Sequence, residues 1–340
     1  MTGKQNNKHL FNPKNERIKY KYRQHVRRVL QRDEKTVLAA LKNIRDYEFC
    51  TSFAGFEKFN SDVADKYIKD MFNRGLSLSY ITDNLRALKE FLRWLERQRG
   101  YRSKIDYNHI DYLNVTSNQS RAAKAVQYQK SYKFKDIIAT IRQMPDKTDK
   151  QRRDRAIVSL QALCALRVSE LRTVKMQNLI DEDGHYFIHV TPKDMAVKFA
   201  KTRYVNFIPL PDDIIKNVTE WAQYLKSLGF KGGDPLFPVV DNRFGQKNLL
   251  EQSIRKAQIK SDTTIRDVFK KAFVSAGFEY IKPHSFRKTI ALFAQNQSPA
   301  FLNAVRQNLG HDSIDTTLSS YGQLSVVDQR KAINSVAVLE

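Results

Sequence analysis

Apolar residues recur at helical spacing over residues 33–100, and the recurrence stops at a polar, basic stretch, 117–131 (SNQSRAAKAVQYQKS), before resuming beyond it. A chain patterned in this way folds around two separate cores, because no apolar stripe crosses the stretch that joins them. In the first part Val37, Leu38, Leu41 and Ile44 share one face. Val63, Tyr67 and Met71 mark a second helix from near Ser61 to Gly75, and Ile81, Leu85, Leu88, Leu92 and Leu95 a third that begins after Ser77 or Ser79. Three such faces predict a small helical bundle, with Phe91 and Trp94 in its core rather than on a binding platform.

The second part differs. Asp154–Leu166 is a strongly apolar helical run, whereas 185–191 and 202–210 are short β-rich runs flanking a Lys-rich turn. From Asp212 onward the chain reads as mostly helical, with breaks at 229–234 and Gly277. The predicted fold class is mainly α with a small antiparallel β-sheet. The predicted organisation is a basic N-terminal segment (1–32), a helical domain (33–116), a basic linker (117–131) and a second domain (132–340).

Charge narrows the function. The 340 residues carry 59 Lys plus Arg against 36 Asp plus Glu, a formal excess of +23, so the chain is drawn to polyanions before any specific contact forms. Residues 1–32 hold ten of these cations and one acid, Glu16. Ile18, Tyr22 and Val26 at helical spacing make 15–31 a basic amphipathic helix. A calmodulin target or a membrane-surface helix shares that pattern, but neither accounts for the positive charge elsewhere; nucleic acid does. No apolar run approaches the roughly 20 residues of a bilayer span, and MTGKQNNKHLFNPKN has no apolar core, which predicts a cytoplasmic, nucleoid-associated protein without membrane contact. Cys50 and Cys164 are far apart and outside any CxxC, so disulfide frameworks, zinc fingers and thiol redox motifs are unsupported. Asp181, Glu182 and Asp183 are adjacent in one loop, which reads as a turn and not as the dispersed carboxylates of a metal-dependent nuclease.

Four short signals carry chemistry. Arg167, in CALRVSEL, follows an apolar helix at a core boundary, where its fork of donors suits a phosphate or a salt bridge to Glu170. Lys198, Lys201 and Arg203 lie at or beside the turn between the two β-rich runs. In PHSFRKT, Pro283 favours a helix start, so His284 and Arg287 share a face at a helix N-terminus that attracts anions. In NLGHDSIDTTLSSYGQL, Gly310 ends a helix and presents His311, and Tyr321 follows ten residues later in a polar segment with its hydroxyl available as a nucleophile. Each signal has an ordinary structural explanation when taken alone.

Taken in order, Arg167 in LRVSEL, a hairpin Lys with a downstream IPL, His284-x-x-Arg287, and LGH at 309–311 followed by Tyr321 resemble the tyrosine recombinase or phage integrase family. The resemblance covers nearly the whole chain. It identifies the helical bundle as a SAM-like core-binding domain and residues from about 132 as the catalytic domain. More narrowly, NERIKYKYR, RGLS at 74–77 and PHSFRKT resemble integrases of mobile genomic elements.

The resemblance implies a site-specific recombinase in which Arg167 and Arg287 clamp the scissile phosphate and Tyr321 attacks it to form a 3′-phosphotyrosyl link. It further implies that His284 does acid/base work, that His311 hydrogen-bonds the phosphate and that a hairpin lysine protonates the departing 5′ oxygen. The family's lysine lies eight residues before the proline closing the second strand, which selects Lys201 over Lys198 through Pro209. One departure is local: the family's usual Thr-Gly before the first arginine is replaced by Cys164-Ala165-Leu166, which puts the shape of that turn in question.

The implied partner is double-stranded DNA with inverted-repeat attachment sites, bound by a homotetramer with a directionality factor or host bending protein, and no cofactor or metal is called for. DNA contacts are expected from Arg23, Arg27 and Arg28, from Arg121, Lys124 and Lys130 in the linker, and from Lys198 and Arg203 at the hairpin. The apolar positions of Val326–Leu339 form a C-terminal helix that packs on a neighbouring protomer or on its own chain. A type IB topoisomerase would have a lysine where this chain has His284, and a catalytically inactive DNA-binding relative would have no reason to keep all six residues.

Overall fold

The computed structural model describes residues 11–124, 131–244, 250–295 and 297–310, and the chain divides into two units at 125/126. This division falls inside the polar stretch that interrupts the apolar periodicity.

The first unit is all helical: α1 (Pro13–Arg28), α2 (Glu34–Cys50), α3 (Ser61–Asn73), α4 (Leu78–Glu96), α5 (Tyr107–Ile110) and α6 (Ser117–Lys124). Asp33, Asn60 and Ser77 cap α2, α3 and α4 through their side-chain oxygens, and Gly75, at φ +66°, makes the turn after α3. Ile81, Leu85, Leu88, Leu92 and Leu95 all face the core, as their spacing predicts, and Val37 and Ile44 join them. Leu38 departs from its expected face and is 52% exposed.

Two boundaries differ from the sequence reading. The basic helix α1 belongs to the bundle: Tyr22 is buried against Phe91 and Trp94 at ring-centroid distances of 5.0 and 5.1 Å, and Asn15 Nδ2 donates to Ala54 O at 3.0 Å. Lys14, Arg17, Lys21, Arg27 and Arg28 lie exposed on this packed helix, whereas Lys19 is buried against Glu48. The expected linker begins with a helix, α6, because Thr116 and Gln119 form a reciprocal cap: Gln119 N donates to Thr116 Oγ1 and Thr116 N donates to Gln119 Oε1.

The second unit packs helices around a three-stranded antiparallel sheet. Its elements run α7 (Phe134–Gln143), α8 (Asp149–Cys164), α9 (Val168–Thr173), β1 (Leu179–Glu182), β2 (His185–Val190), β3 (Arg203–Asn206), α10 (Asp212–Ser227), β4 (Pro238–Phe244), β5 (Leu250–Gln258), α11 (Asp262–Ser275), α12 (Ser285–Gln295) and α13 (Pro299–Leu309). Strand order is β1-β2-β3, with Glu182 paired to His185 and Val190 to Arg203. Asp183 and Gly184, at φ +52° and +82°, form the two-residue turn between β1 and β2; of the acidic triplet expected in one loop, Asp181 and Glu182 instead end strand β1 and only Asp183 lies in the turn.

The apolar α8 is buried along most of its length and forms the axis of this core. The β4–β5 hairpin was not anticipated; the sequence reads as helical there. Its root is held where Arg153 Nη1 donates to Pro238 O at 2.9 Å and Gln258 Nε2 donates to Thr173 O at 3.3 Å. Among the described residues no helix is long and apolar enough to cross a membrane.

Candidate active site

The loop after α8 sets the first arginine. Ala165 ends the helix in the left-handed region, φ +44° and ψ +47°, and its N–H still donates to Gln161 O. Alanine thus takes the shape that glycine adopts freely, at a cost of about 1–2 kcal/mol. Two consequences follow for the site: the Ala165 carbonyl accepts from Arg287 Nη1 at 2.9 Å, and Arg167 is placed two residues on, at the N-cap of α9.

Arg287, in the first turn of α12, is 1% exposed. Its other terminal nitrogen, Nη2, donates to Leu309 O at the end of α13. Gln161 completes the junction, because its Nε2 donates to Leu166 O at 3.0 Å and to Pro283 O at 3.2 Å. The residues flanking Arg167, those flanking His284 and the end of α13 are therefore bonded to one another through buried donors. A buried carbonyl left without a partner would cost free energy, so these contacts fix the relative placement of three segments that are distant in sequence.

Glu170 organises the near side. Wholly buried, it accepts from Arg167 N at 2.9 Å, from Arg167 Nη1 at 3.1 Å, and from Arg203 Nη1 and Nη2 at 3.1 and 2.7 Å. Burial pushes the Glu170 carboxyl up, but the hydrogen bonds and charge of Arg203, followed by those of Arg167, outweigh it and hold the group below the usual carboxylate range. Of the two partners expected for Arg167, the structure shows the salt bridge to Glu170, with the arginine at the core boundary and its side chain 21% exposed.

The assignment of Arg203 changes. Expected at the DNA-facing hairpin, its side chain is only 8% exposed, with its fork on Glu170 and its Nε donating to Asn308 O at 2.9 Å. All three guanidinium nitrogens of Arg203 are thus engaged by the protein. Asn308 adds a second link between α13 and β3, accepting from Asn206 N at 3.0 Å and donating to Asn206 O at 2.9 Å. Gly310, at φ +67°, ends α13 in the left-handed conformation, and a Cβ there would lie 3.1 Å from Arg203 Cδ. The glycine of the LGH motif is thus required both by backbone conformation and by the arginine packed against it.

His284 precedes α12 and keeps an exposed face. Burial of part of its ring, then the charges of Arg287, Arg167 and Lys198 in that order, lower its pKa to about 4. The imidazole is neutral at physiological pH, and the groups that depress it are the cations expected to hold a phosphate. Lys198, at the exposed start of a 3-10 turn over Lys198–Ala200, acts on His284 across space, and Lys201 is half-buried at the end of that turn.

The structure brings Arg167, His284 and Arg287 together, with Lys198 within electrostatic reach. His311, Tyr321, Lys130 and the C-terminal stretch Val326–Leu339 lie outside the described residues. Among the expected DNA contacts, Arg27 and Arg28 are exposed at the end of α1, Arg23 pairs with Glu34, Arg121 is exposed on α6, and Lys124 ends that helix. The sequence reading had Glu170 only as an alternative partner for Arg167, and it did not include Gln161 or Asn308. Their effect depends on contacts such as Gln161 with Pro283 and Asn308 with Asn206, which no local pattern encodes.

Comparison with known proteins agrees with this geometry. The phage integrase family model matches residues 132–326. Transposase A of transposon Tn554 from Staphylococcus aureus is 24% identical over 303 residues, covering 85% of this chain and 78% of that protein. Tyrosine recombinase XerC of Lactobacillus delbrueckii subsp. bulgaricus is 27% identical over 288 residues, covering 83% and 86%. In fold, the chain is similar to the XerH recombinase in its pre-cleavage complex with difH, with a TM-score of 0.60 at 16% identity over 93% of this chain and 83% of that one. It is also similar to a lambda integrase dimer bound to a COC′ core site, with a TM-score of 0.60 at 14% identity over 92% and 98%. With the family model spanning more than half of the residues, the chain belongs to the phage integrase family and is a site-specific tyrosine recombinase.

Proposed function

We propose that this recombinase integrates or excises a mobile element by cutting and rejoining duplex DNA through Tyr321. The Tyr321 hydroxyl attacks the scissile phosphorus, the bond to the 5′ oxygen breaks, and a 3′-phosphotyrosyl link forms. Arg167 and Arg287 hold the non-bridging oxygens, Lys201 supplies the proton to the departing 5′ oxygen, and His284 and His311 manage the tyrosine proton and the phosphate. Religation is the reverse attack by another 5′ hydroxyl, and since the phosphotyrosine conserves the bond, no ATP is consumed. A phosphodiester resists nucleophiles because of its charge, so fixed cations and donors aimed at the five-coordinate phosphorus supply a large share of the catalysis.

The observation that carries the reading is the junction in which Arg287 binds Ala165 O, two residues from Arg167, while both arginines depress His284. Two guanidiniums and an imidazole from two segments, with Arg287 held by buried carbonyls and Arg167 by Glu170, form a site for one phosphate group. DNA affinity from the cations of α1, α6 and the hairpin is steeply salt-dependent. The working assembly is a homotetramer on inverted-repeat attachment sites, aided by a directionality factor or host bending protein.

The test uses full-length protein and a nicked duplex carrying the repeat that borders the gene's genomic element, in chelator and without nucleotide. Wild type forms a covalent protein–DNA adduct and Tyr321→Phe forms none. An adduct retained in Tyr321→Phe overturns the nucleophile, and a requirement for Mg²⁺ overturns the mechanism.

A further inference from the structure

We propose that Arg203, working with Asn308, is a positioning residue for strand cleavage that binds the Arg167 loop, the start of β3 just after Lys201, and the Gly310 turn into one body; this rests on the recombinase reading of the site. Arg203 is two residues from Lys201 in sequence. Its guanidinium reaches Glu170 with both terminal nitrogens, at 3.1 and 2.7 Å, and Glu170 in turn holds the backbone and side chain of Arg167. Through Nε it donates to Asn308 O, two residues before the Gly310 turn that leads directly into His311. A planar fork with donors on two edges can serve these three segments together, and an ammonium cannot.

A contribution to stability alone does not explain this arrangement. Exchanging a buried ion pair for well-packed apolar residues is often neutral or stabilising, so a pair that is also aimed at a helix-terminal carbonyl reflects geometry more than adhesion. The Asn308 amide supports the same reading, because it occupies the edge of β3 as a neighbouring strand would, accepting from Asn206 N and donating to Asn206 O. With both links in place, the end of α13 cannot shift along β3 without breaking bonds at Arg203 and at Asn206. The start of β3, two residues after Lys201, and the end of α13 are therefore held within one bonded frame, and Glu170 ties the first arginine to that frame.

The experiment measures three quantities on full-length protein with the nicked duplex described above: thermal stability, DNA dissociation constant, and the first-order rate of adduct formation at saturating DNA. The variants are Arg203→Met, Arg203→Lys and Asn308→Ala, the last removing the side-chain bonds to Asn206 while leaving the Asn308 carbonyl to Arg203, in case Arg203→Met does not fold. We expect the cleavage rate to fall about 100-fold in Arg203→Met, the scale of a 1 Å misplacement, with DNA affinity within about threefold of wild type. Arg203→Lys should recover less than a tenth of that loss, and Asn308→Ala should slow cleavage by about tenfold or more and combine non-additively with Arg203→Lys. Variants that fold and cleave within about threefold of wild type at saturating DNA would overturn the proposal, as would rate losses that only track the folded fraction. Failure of the recombinase reading itself looks different, since wild type would then form no adduct dependent on Tyr321.

Discussion

Replacing Gly310 by alanine tests the frame around the site in its most confined turn. Gly310 lies at φ +67°, and an added Cβ would sit 3.1 Å from Arg203 Cδ and 3.2 Å from its Nε. The left-handed backbone alone costs an alanine about 1–2 kcal/mol, less a few tenths for the lower entropy of the unfolded chain. The contact adds to this, because Arg203 is fixed at both ends of its guanidinium and cannot yield without lengthening bonds to Glu170 or Asn308 O; overpacking of this kind costs about 1–3 kcal/mol. The expected total is about 2–4 kcal/mol. Gly277 supplies an internal control in the same unit, with φ +79° and nothing within 4 Å of its would-be Cβ, so Gly277→Ala should cost only the backbone part, about 1 kcal/mol. Trp221, in the core of this unit, is the reporter: urea unfolding followed by its fluorescence should place the Gly310→Ala midpoint clearly below that of Gly277→Ala, with unchanged slope. In an Arg203→Ala background the excess should vanish. Equal losses at the two glycines, or an excess that survives without Arg203, would refute the reasoning.

Three further outcomes follow from the same contacts. His284, depressed to about 4 by burial and by Arg287, Arg167 and Lys198, binds fewer protons folded than unfolded between pH 4 and 6.5, so stability falls as pH drops through that window. A DNA phosphate reverses the field: binding near pH 5.5 should take up a proton, read by calorimetry in buffers of different ionisation enthalpy, and His284→Ala should remove the uptake. Lys201→Ala should cleave slowly and recover on a duplex whose 5′-bridging oxygen is sulfur, whose thiolate leaves without protonation; recovery by Lys198→Ala and not by Lys201→Ala would exchange their roles. In the first unit, Lys19→Met leaves the wholly buried Glu48 without its 2.5 Å partner, so the bundle should lose about 3–5 kcal/mol in denaturant titration, and a loss under 1 kcal/mol would show that Glu48 reaches solvent.

Periodicity made the bundle legible because each of α2, α3 and α4 buries a single stripe, and Asn60 and Ser77 mark where two of them start. It failed at α6, whose short helix has no long stripe; the usable signal was the cap, Thr116 followed three residues later by Gln119. It failed again at β4 and β5, where a nine-residue strand such as LEQSIRKAQ has the composition of a helix and takes its state from pairing with a distant segment. Arg167, His284 and Arg287 were found because their motifs are local. Arg203 was misplaced for the complementary reason: a basic residue beside a hairpin turn reads as exposed, and its enclosure depends on Glu170, 33 positions away, and Asn308, 105 positions away.

The field at His284 bears on the nucleophile as well. Its neighbours of influence, Arg287, Arg167 and Lys198, are all cations, so the potential that disfavours an imidazolium there favours any anion, whether a phosphate oxygen or a phenolate. A tyrosine of pKa near 10 needs such a place to become a nucleophile at neutral pH. The tyrosines of the two cores have the opposite environment. Burial pushes Tyr132 up to about 12 and raises Tyr22, Tyr47 and Tyr67 as well, and it also raises Tyr280, four residues before His284. At each of these tyrosines burial disfavours the phenolate. The nucleophile has to be a tyrosine that is not committed to a core and can be brought into the cationic field from a flanking segment. Tyr321, the nucleophile proposed from its place in the motif, lies outside the described residues; it follows Gly310 by eleven positions, and Leu309, beside that glycine, accepts from the field's own Arg287.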